Sequence, residues 1–116
     1  MTAALNVIIY PVKDMAQAKT LISGLLGAEP YVDQPYYVGF RVGDLEVGLD
    51  PSGHGKGLTG PVAYWTVEDI EASLGRLLDA GAQVLQAVSD VGGGRLIASV
   101  KDADGNITGL LQDPKP

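Results

Sequence analysis

Apolar residues recur along the chain with two periods, and the places where the period changes mark the elements. Val7-Ile8-Ile9-Tyr10 and Val62-Ala63-Tyr64-Trp65 are apolar runs of strand length. After each, apolar residues recur at helical spacing: Met15, Ala18, Ile22 and Leu25, then Ile70, Leu74, Leu77 and Leu78. Asp14 and Asp69 stand where a side chain caps the first amides of a helix, and Gly27 and Gly81 where a left-handed residue ends one. The two stretches align at an offset of 55 residues, Val12-Lys13-Asp14-Met15 on Val67-Glu68-Asp69-Ile70. The chain is thus a repeat of two halves, with no third copy to suggest a solenoid.

Each half continues into strands. In the first, a short strand near Glu29–Val32 is broken by Asp33-Gln34-Pro35, and Tyr36–Val42 and Leu45–Asp50 flank Gly43-Asp44, a two-residue hairpin signal. Pairing Val42 with Leu45 sets Phe40 against Val47 and Val38 against Leu49, a wholly apolar face. The other face then pairs Arg41 with Glu46, Gly39 with Gly48 and Tyr37 with Asp50. A slip of one residue mixes the faces, so the pattern selects this register. In the second half, Gln83–Gln86, Arg95–Val100 and Ile107–Gln112 read as strands, joined by Val91-Gly92-Gly93-Gly94 and by the turn Asp102-Ala103-Asp104-Gly105. The predicted architecture is α+β: one domain of two βαβββ modules, residues 1–50 and 61–116, with a linker over 51–60 that holds four glycines and the only histidine, His54.

Composition narrows the function classes. A chain of 116 residues, 46% hydrophobic, can bury one core. With no cysteine, a disulfide framework, a thiol nucleophile and a Cys-ligated zinc are excluded. Eight basic residues are scattered among fourteen acidic ones, for a net charge of −6, so nucleic acid and anionic membranes are poor partners. No apolar run approaches the ~20 residues that span a bilayer. Met1 to Asn6 lacks the basic start of a signal peptide, and a cytoplasmic location is expected.

The order of elements, with Pro11-Val12-Lys13-Asp14-Met15, Leu25-Leu26-Gly27, Val67-Glu68-Asp69-Ile70, Ala80-Gly81-Ala82 and Val100-Lys101-Asp102-Ala103-Asp104-Gly105-Asn106, resembles the glyoxalase/bleomycin-resistance/dioxygenase (vicinal oxygen chelate) superfamily. The last stretch is similar to that family's Asp-Pro-Asp-Gly-Asn turn, with Ala103 for Pro. The resemblance implies a cupped mixed sheet around a cleft, helices on its outer face, and homodimerisation. It also implies a divalent metal held by His or Glu at four strand positions. Carried over, these fall at Val7, at or beside Glu46, near Val62 and near Gly109, and only Glu46 can ligate. No metal or other cofactor is therefore expected.

Glu46 opposite Arg41 reads first as a cross-strand ion pair and second as a remnant ligand or base. By alternation Tyr64 and Thr66 share the cleft face, whereas Trp65 points to the helices and is expected in the core. Tyr37 and Tyr64 are candidate stacking walls, with Asp50 a polar anchor at the rim. His54 is the only imidazole, in an exposed linker or a mobile lid, and Arg95 after three glycines is a weaker candidate for a ligand anion. No catalytic constellation is recognisable. The leading expectation is a metal-independent protein that binds a small molecule, similar to the antibiotic-binding branch of the superfamily, with Tyr37, Arg41, Glu46, Asp50, Tyr64 and Thr66 around the ligand. The alternatives are a lyase, isomerase or dioxygenase with a non-standard metal site, and a structural or regulatory domain with a vestigial cleft.

Overall fold

The computed structural model describes residues 3–115. The chain runs β1 (Ala3–Pro11), α1 (Met15–Leu26), β2 (Val32–Gln34), β3 (Tyr37–Val42), β4 (Leu45–Asp50), a 3-10 turn (His54–Lys56), β5 (Val62–Val67), α2 (Ile70–Asp79), β6 (Gln83–Asp90), β7 (Leu96–Lys101) and β8 (Ile107–Gln112). This is the α+β pattern of two βαβββ modules that the periodicity predicts. Contacts cluster into two compact units, residues 6–62 and residues 63–115 with 3–5. Neither helix is long and apolar enough to cross a membrane.

In the first unit the strand order is β2-β3-β4-β1, with β1 parallel to β4 and the other pairs antiparallel. The β3–β4 register is the one chosen by the apolar pattern: Val38↔Leu49, Gly39↔Gly48, Phe40↔Val47, Arg41↔Glu46 and Val42↔Leu45. Gly43 has φ of 60°, and no non-glycine residue described has positive φ, so the turn takes the form with glycine first. Val38, Phe40 and Leu49 bury their face under Ile22 of α1, with Met15, Ala18, Leu26 and Val47 around them. Burying a side chain such as Phe40 contributes roughly 1.5–3 kcal/mol. The Asp14 carboxylate accepts the Gln17 amide at 3.0 Å, and Gly27 closes the helix with φ of 64°.

Leu25 departs from the predicted stripe. Ile22 is buried with Met15, Ala18 and Leu26 partly buried beside it, while Leu25, about 60° from Ile22 around the helix, is exposed. The first short strand also shifts, to Val32–Gln34. Pro30 has no amide to pair, and the ladder is first joined where the Tyr31 amide donates to the Gly39 carbonyl at 2.9 Å.

The second unit repeats the plan as β5-β8-β7-β6, with β5 parallel to β8. Its core is Val67, Ile70, Leu74, Ala98, Val100 and Leu110. Asp69 caps α2 on the Ala72 amide at 3.1 Å, and Gln112 accepts the Ile70 amide at 2.8 Å, tying the helix start to β8. β6 runs on to Asp90, past its predicted end at Gln86, by means of two register shifts against β7. Trp65 pairs with Leu110 on the helix side but is 37% exposed, which corrects its expected place in the core. Direction along a strand fixed its face and left the coverage of that face undetermined.

Candidate functional site

On the face of the first unit turned away from α1, the Gly39–Gly48 pair leaves a gap in the row of side chains. Aromatic rings fill it. Tyr37 lies so close over Gly48 that an added Cβ there would stand 2.7 Å from its Cε1 and Cζ. A Cβ on Gly39 would meet Tyr37 at 3.1 Å and Tyr31 at 3.3 Å. Laying an aromatic ring over a bare glycine covers backbone that would otherwise face water.

Both phenols converge on one carboxylate. The Tyr31 hydroxyl donates to Glu46 Oε1 and the Tyr37 hydroxyl to Glu46 Oε2. Glu46 is 7% exposed, so these charge-assisted bonds replace water at both oxygens. The expected Arg41–Glu46 ion pair is absent, although the two stand opposite each other in register. Arg41, itself exposed, lies over the Tyr31 ring, its guanidinium carbon 4.5 Å from the centroid, in a cation–π contact. The buried carboxylate accepts from the two phenols, and the exposed guanidinium stacks on the Tyr31 ring. The sequence pattern puts Tyr31 inside a short strand near Glu29–Val32 and gives it no site role, whereas in the structure it stands just before β2. Its signal was the paired glycines, a gap that needs an aromatic neighbour.

Asp50 does not face an open rim. Its buried carboxylate accepts the Ser52 amide at 2.8 Å and the Lys56 ammonium at 2.8 Å. Gly53 packs on Pro11, where a Cβ would stand 2.6 Å from the Pro11 Cβ, and Leu58 is buried. Asp50 therefore pins the segment that the sequence presents as a loose linker. His54 is exposed in its 3-10 turn.

In the second unit Tyr64, Gly109, Ser99 and Gln86 stand side by side across β5, β8, β7 and β6. The buried Tyr64 ring lies over Gly109, where a Cβ would come within 2.6 Å of its Cε2. Ser99 is 0% exposed, and neither its Oγ nor the buried Gln86 Oε1 has a hydrogen-bond partner. Thr66, on the same face of β5 as Tyr64, borders an open groove with Glu68, Gln112, Asp113 and Lys115. Arg95 is engaged by Asp113, Nε to Oδ1 at 3.2 Å. The structure thus gathers Tyr37, Arg41 and Glu46 with Tyr31 around one seat. Asp50 is committed to its loop, and Tyr64 and Thr66 lie on the face of the other unit.

A divalent ion does not fit this donor set. Val7, beside Glu46 in the β1–β4 register, offers no ligand atom, nor do Val62 and Gly109, and the oxygens of Glu46 already accept two phenols. Among the described residues no three of His, Cys, Asp and Glu gather as a metal site.

No family model and no curated protein matches the sequence. Solved structures do match. A glyoxalase/bleomycin resistance protein/dioxygenase superfamily member from Vibrio splendidus 12B01 is 20% identical, with a TM-score of 0.74 over 97% of this chain and 100% of that one. A hypothetical protein from Bacillus halodurans C-125 is 15% identical, with a TM-score of 0.76 over 100% and 98%. Methylmalonyl-CoA epimerase from Mycobacterium tuberculosis is 17% identical, with a TM-score of 0.67 over 97% and 89%. At these identities the likeness is one of fold, and the fold is the one that the sequence resemblance implies.

Proposed function

We propose that this protein is a metal-independent small-molecule binding protein, akin to the antibiotic-binding branch of the glyoxalase-type fold, with its ligand seated on the polar face of the first module. One observation carries the reading: the single carboxylate at a ligand position of the fold, Glu46, is held by Tyr31 and Tyr37 in place of a cation. A carboxylate offers roughly four acceptor sites. Two phenols leave capacity for a donor on the ligand. The Arg41–Tyr31 stack supplies a flat, cationic wall, and the Tyr37 ring, laid over Gly48, an aromatic one. A flat aromatic or peptide-like molecule with an N–H or O–H group suits this seat: its ring stacks, its donor reaches Glu46, and its carbonyl meets Arg41. Binding is reversible and no bond in the ligand is broken.

The test is a thermal-shift screen of planar aromatic and peptide-like compounds, run with and without EDTA on protein of measured metal content. Ligands that raise the melting temperature equally in both conditions, and lose that effect in Arg41→Ala and Tyr37→Ala, support the reading. Stoichiometric metal that is lost on Glu46→Ala, or no binding from the whole panel, overturns it.

A further inference from the structure

Two buried polar groups of the second unit face each other without bonding. Ser99 is closed to solvent, and its Oγ has no hydrogen-bond partner among the described residues. Gln86 stands opposite it in the β6–β7 ladder, and the buried Gln86 Oε1 has none either. A hydroxyl and a carbonyl are complementary, yet no bond joins them. A buried polar group without a partner destabilises the free protein. Departures of this kind concentrate where a protein binds something.

The internal repeat shows what is particular to this row. Ile9 pairs with Gly48, and Tyr64, its counterpart in the repeat, pairs with Gly109. Gly48 and Gly109 are therefore equivalent, and each lies under a tyrosine ring, Tyr37 in one unit and Tyr64 in the other. Two residues before each glycine, Glu46 of the first unit corresponds to Ile107 of the second. Gly39, opposite Gly48, corresponds to Ser99, opposite Gly109. The second unit thus keeps the ring over glycine but has an aliphatic side chain in place of the carboxylate. It also sets a hydroxyl where the first unit is bare.

We propose that the second unit carries a separate seat for an uncharged carboxamide, opened when the Tyr64 ring swings off Gly109. The amide carbonyl accepts from the Ser99 hydroxyl, and the amide N–H donates to Gln86 Oε1. One planar group then satisfies both orphans. Ser99 is closed to solvent, so a ligand reaches it only when a neighbour moves. Tyr64, whose ring rests on the adjoining Gly109, uncovers the row by rotating about χ1. The flat body of the ligand takes the place of the ring over Gly109, between Ile107 and Leu111 along β8. A carboxylate is refused, because it would be desolvated against the acceptor oxygen of Gln86. This seat differs from the one at Glu46 in its residues and in its charge, and it does not rest on it.

Benzamide, acetophenone and benzoate share one shape and differ in one group on the carbonyl carbon: an N–H donor, a methyl or an anionic oxygen. Each is titrated into the isotope-labelled full chain and followed by its amide chemical shifts. Benzamide is expected to shift the amides of Gln86, Ser99 and Gly109, with the millimolar affinity ordinary for so small a probe. Acetophenone, which has no donor for Gln86, is expected to bind about tenfold more weakly, and benzoate not to bind. Ser99→Ala deletes one oxygen and is expected to weaken benzamide about tenfold while circular dichroism stays unchanged. The amides of Gly39, Glu46 and Gly48 report the seat of the first unit separately, so failure of one seat is distinguishable from failure of the other. Benzamide shifts confined to the first unit, or none at all, overturn the proposal. So do equal binding of benzamide and acetophenone, which marks a merely apolar pocket, and a Ser99→Ala variant that binds benzamide as the wild type does.

Discussion

The ring of Tyr37 occupies the space that a side chain at Gly48 would need, and its hydroxyl donates to Glu46 two residues before that glycine. Glycine here is a packing requirement of the seat. Gly48→Ala forces the ring aside or bends β4. The expected cost is about 1–3 kcal/mol, as for overpacking elsewhere. Urea denaturation measures it. Gly55→Ala, at a position with open space around it, is the control and is expected within about 0.5 kcal/mol of wild type. Equal stability of the two variants would mean that Tyr37 does not lie where described.

The two phenols act on one carboxylate, so their removal is not additive. Tyr37→Phe leaves a buried Glu46 oxygen without its donor and is expected to cost about 1–2 kcal/mol. Tyr31→Phe costs less, since Tyr31 is half exposed and water can replace its hydroxyl. In the double-mutant cycle with Glu46→Gln, coupling of roughly 0.5 kcal/mol or more is expected for Tyr37. A cycle that closes to zero separates the phenol from the carboxylate and removes the basis of the proposed seat.

Asp50 fastens the segment after β4 through the Ser52 amide and Lys56. Asp50→Ala is expected to speed amide hydrogen exchange at Ser52 and Lys56 and to spare the amides of β3. Leu58→Ala, which empties a buried position, costs about 2–4 kcal/mol. Were the segment a mobile lid, its amides would already exchange quickly in the wild type, and Asp50→Ala would change nothing.

The fold was readable in the sequence because its signals are local. The 55-residue repeat, the caps Asp14 and Asp69, and the apolar row Val38, Phe40, Val47, Leu49 depend on neighbours a few residues away or directly across a hairpin. The site was readable only in part. Tyr37, Arg41 and Glu46 were placed on one face by alternation, but alternation does not report which partner a side chain takes. Register set Arg41 opposite Glu46, and the three-dimensional approach of Tyr31 from outside the strand decided against their ion pair. The Asp50 clamp needs a turn across Ser52–Lys56 that no periodicity announces. Trp65 and Leu25 were misplaced for a related reason: spacing gives the direction of a side chain, and coverage depends on what packs over it.

Ser99 offers a sharp test because its hydroxyl is fully buried on β7 beside Gly109 and Gln86, with no hydrogen-bond partner. A buried hydroxyl without a partner costs about 1–3 kcal/mol relative to one that is satisfied. Ser99→Ala removes that group and leaves a void smaller than a methyl, so it is expected to stabilise the protein by about 1 kcal/mol in urea denaturation. Gln86→Leu acts on the neighbouring orphan oxygen, and its gain should overlap with that of Ser99→Ala, because the two residues pair across β6 and β7. If Ser99→Ala instead destabilises by a similar amount, the hydroxyl is bonded, with a buried water the simplest partner. Such a water would bridge Ser99 and Gln86, and Gln86→Leu would then destabilise too. The sign of the first variant, with that of the second, therefore distinguishes a strained polar pair from a hydrated one.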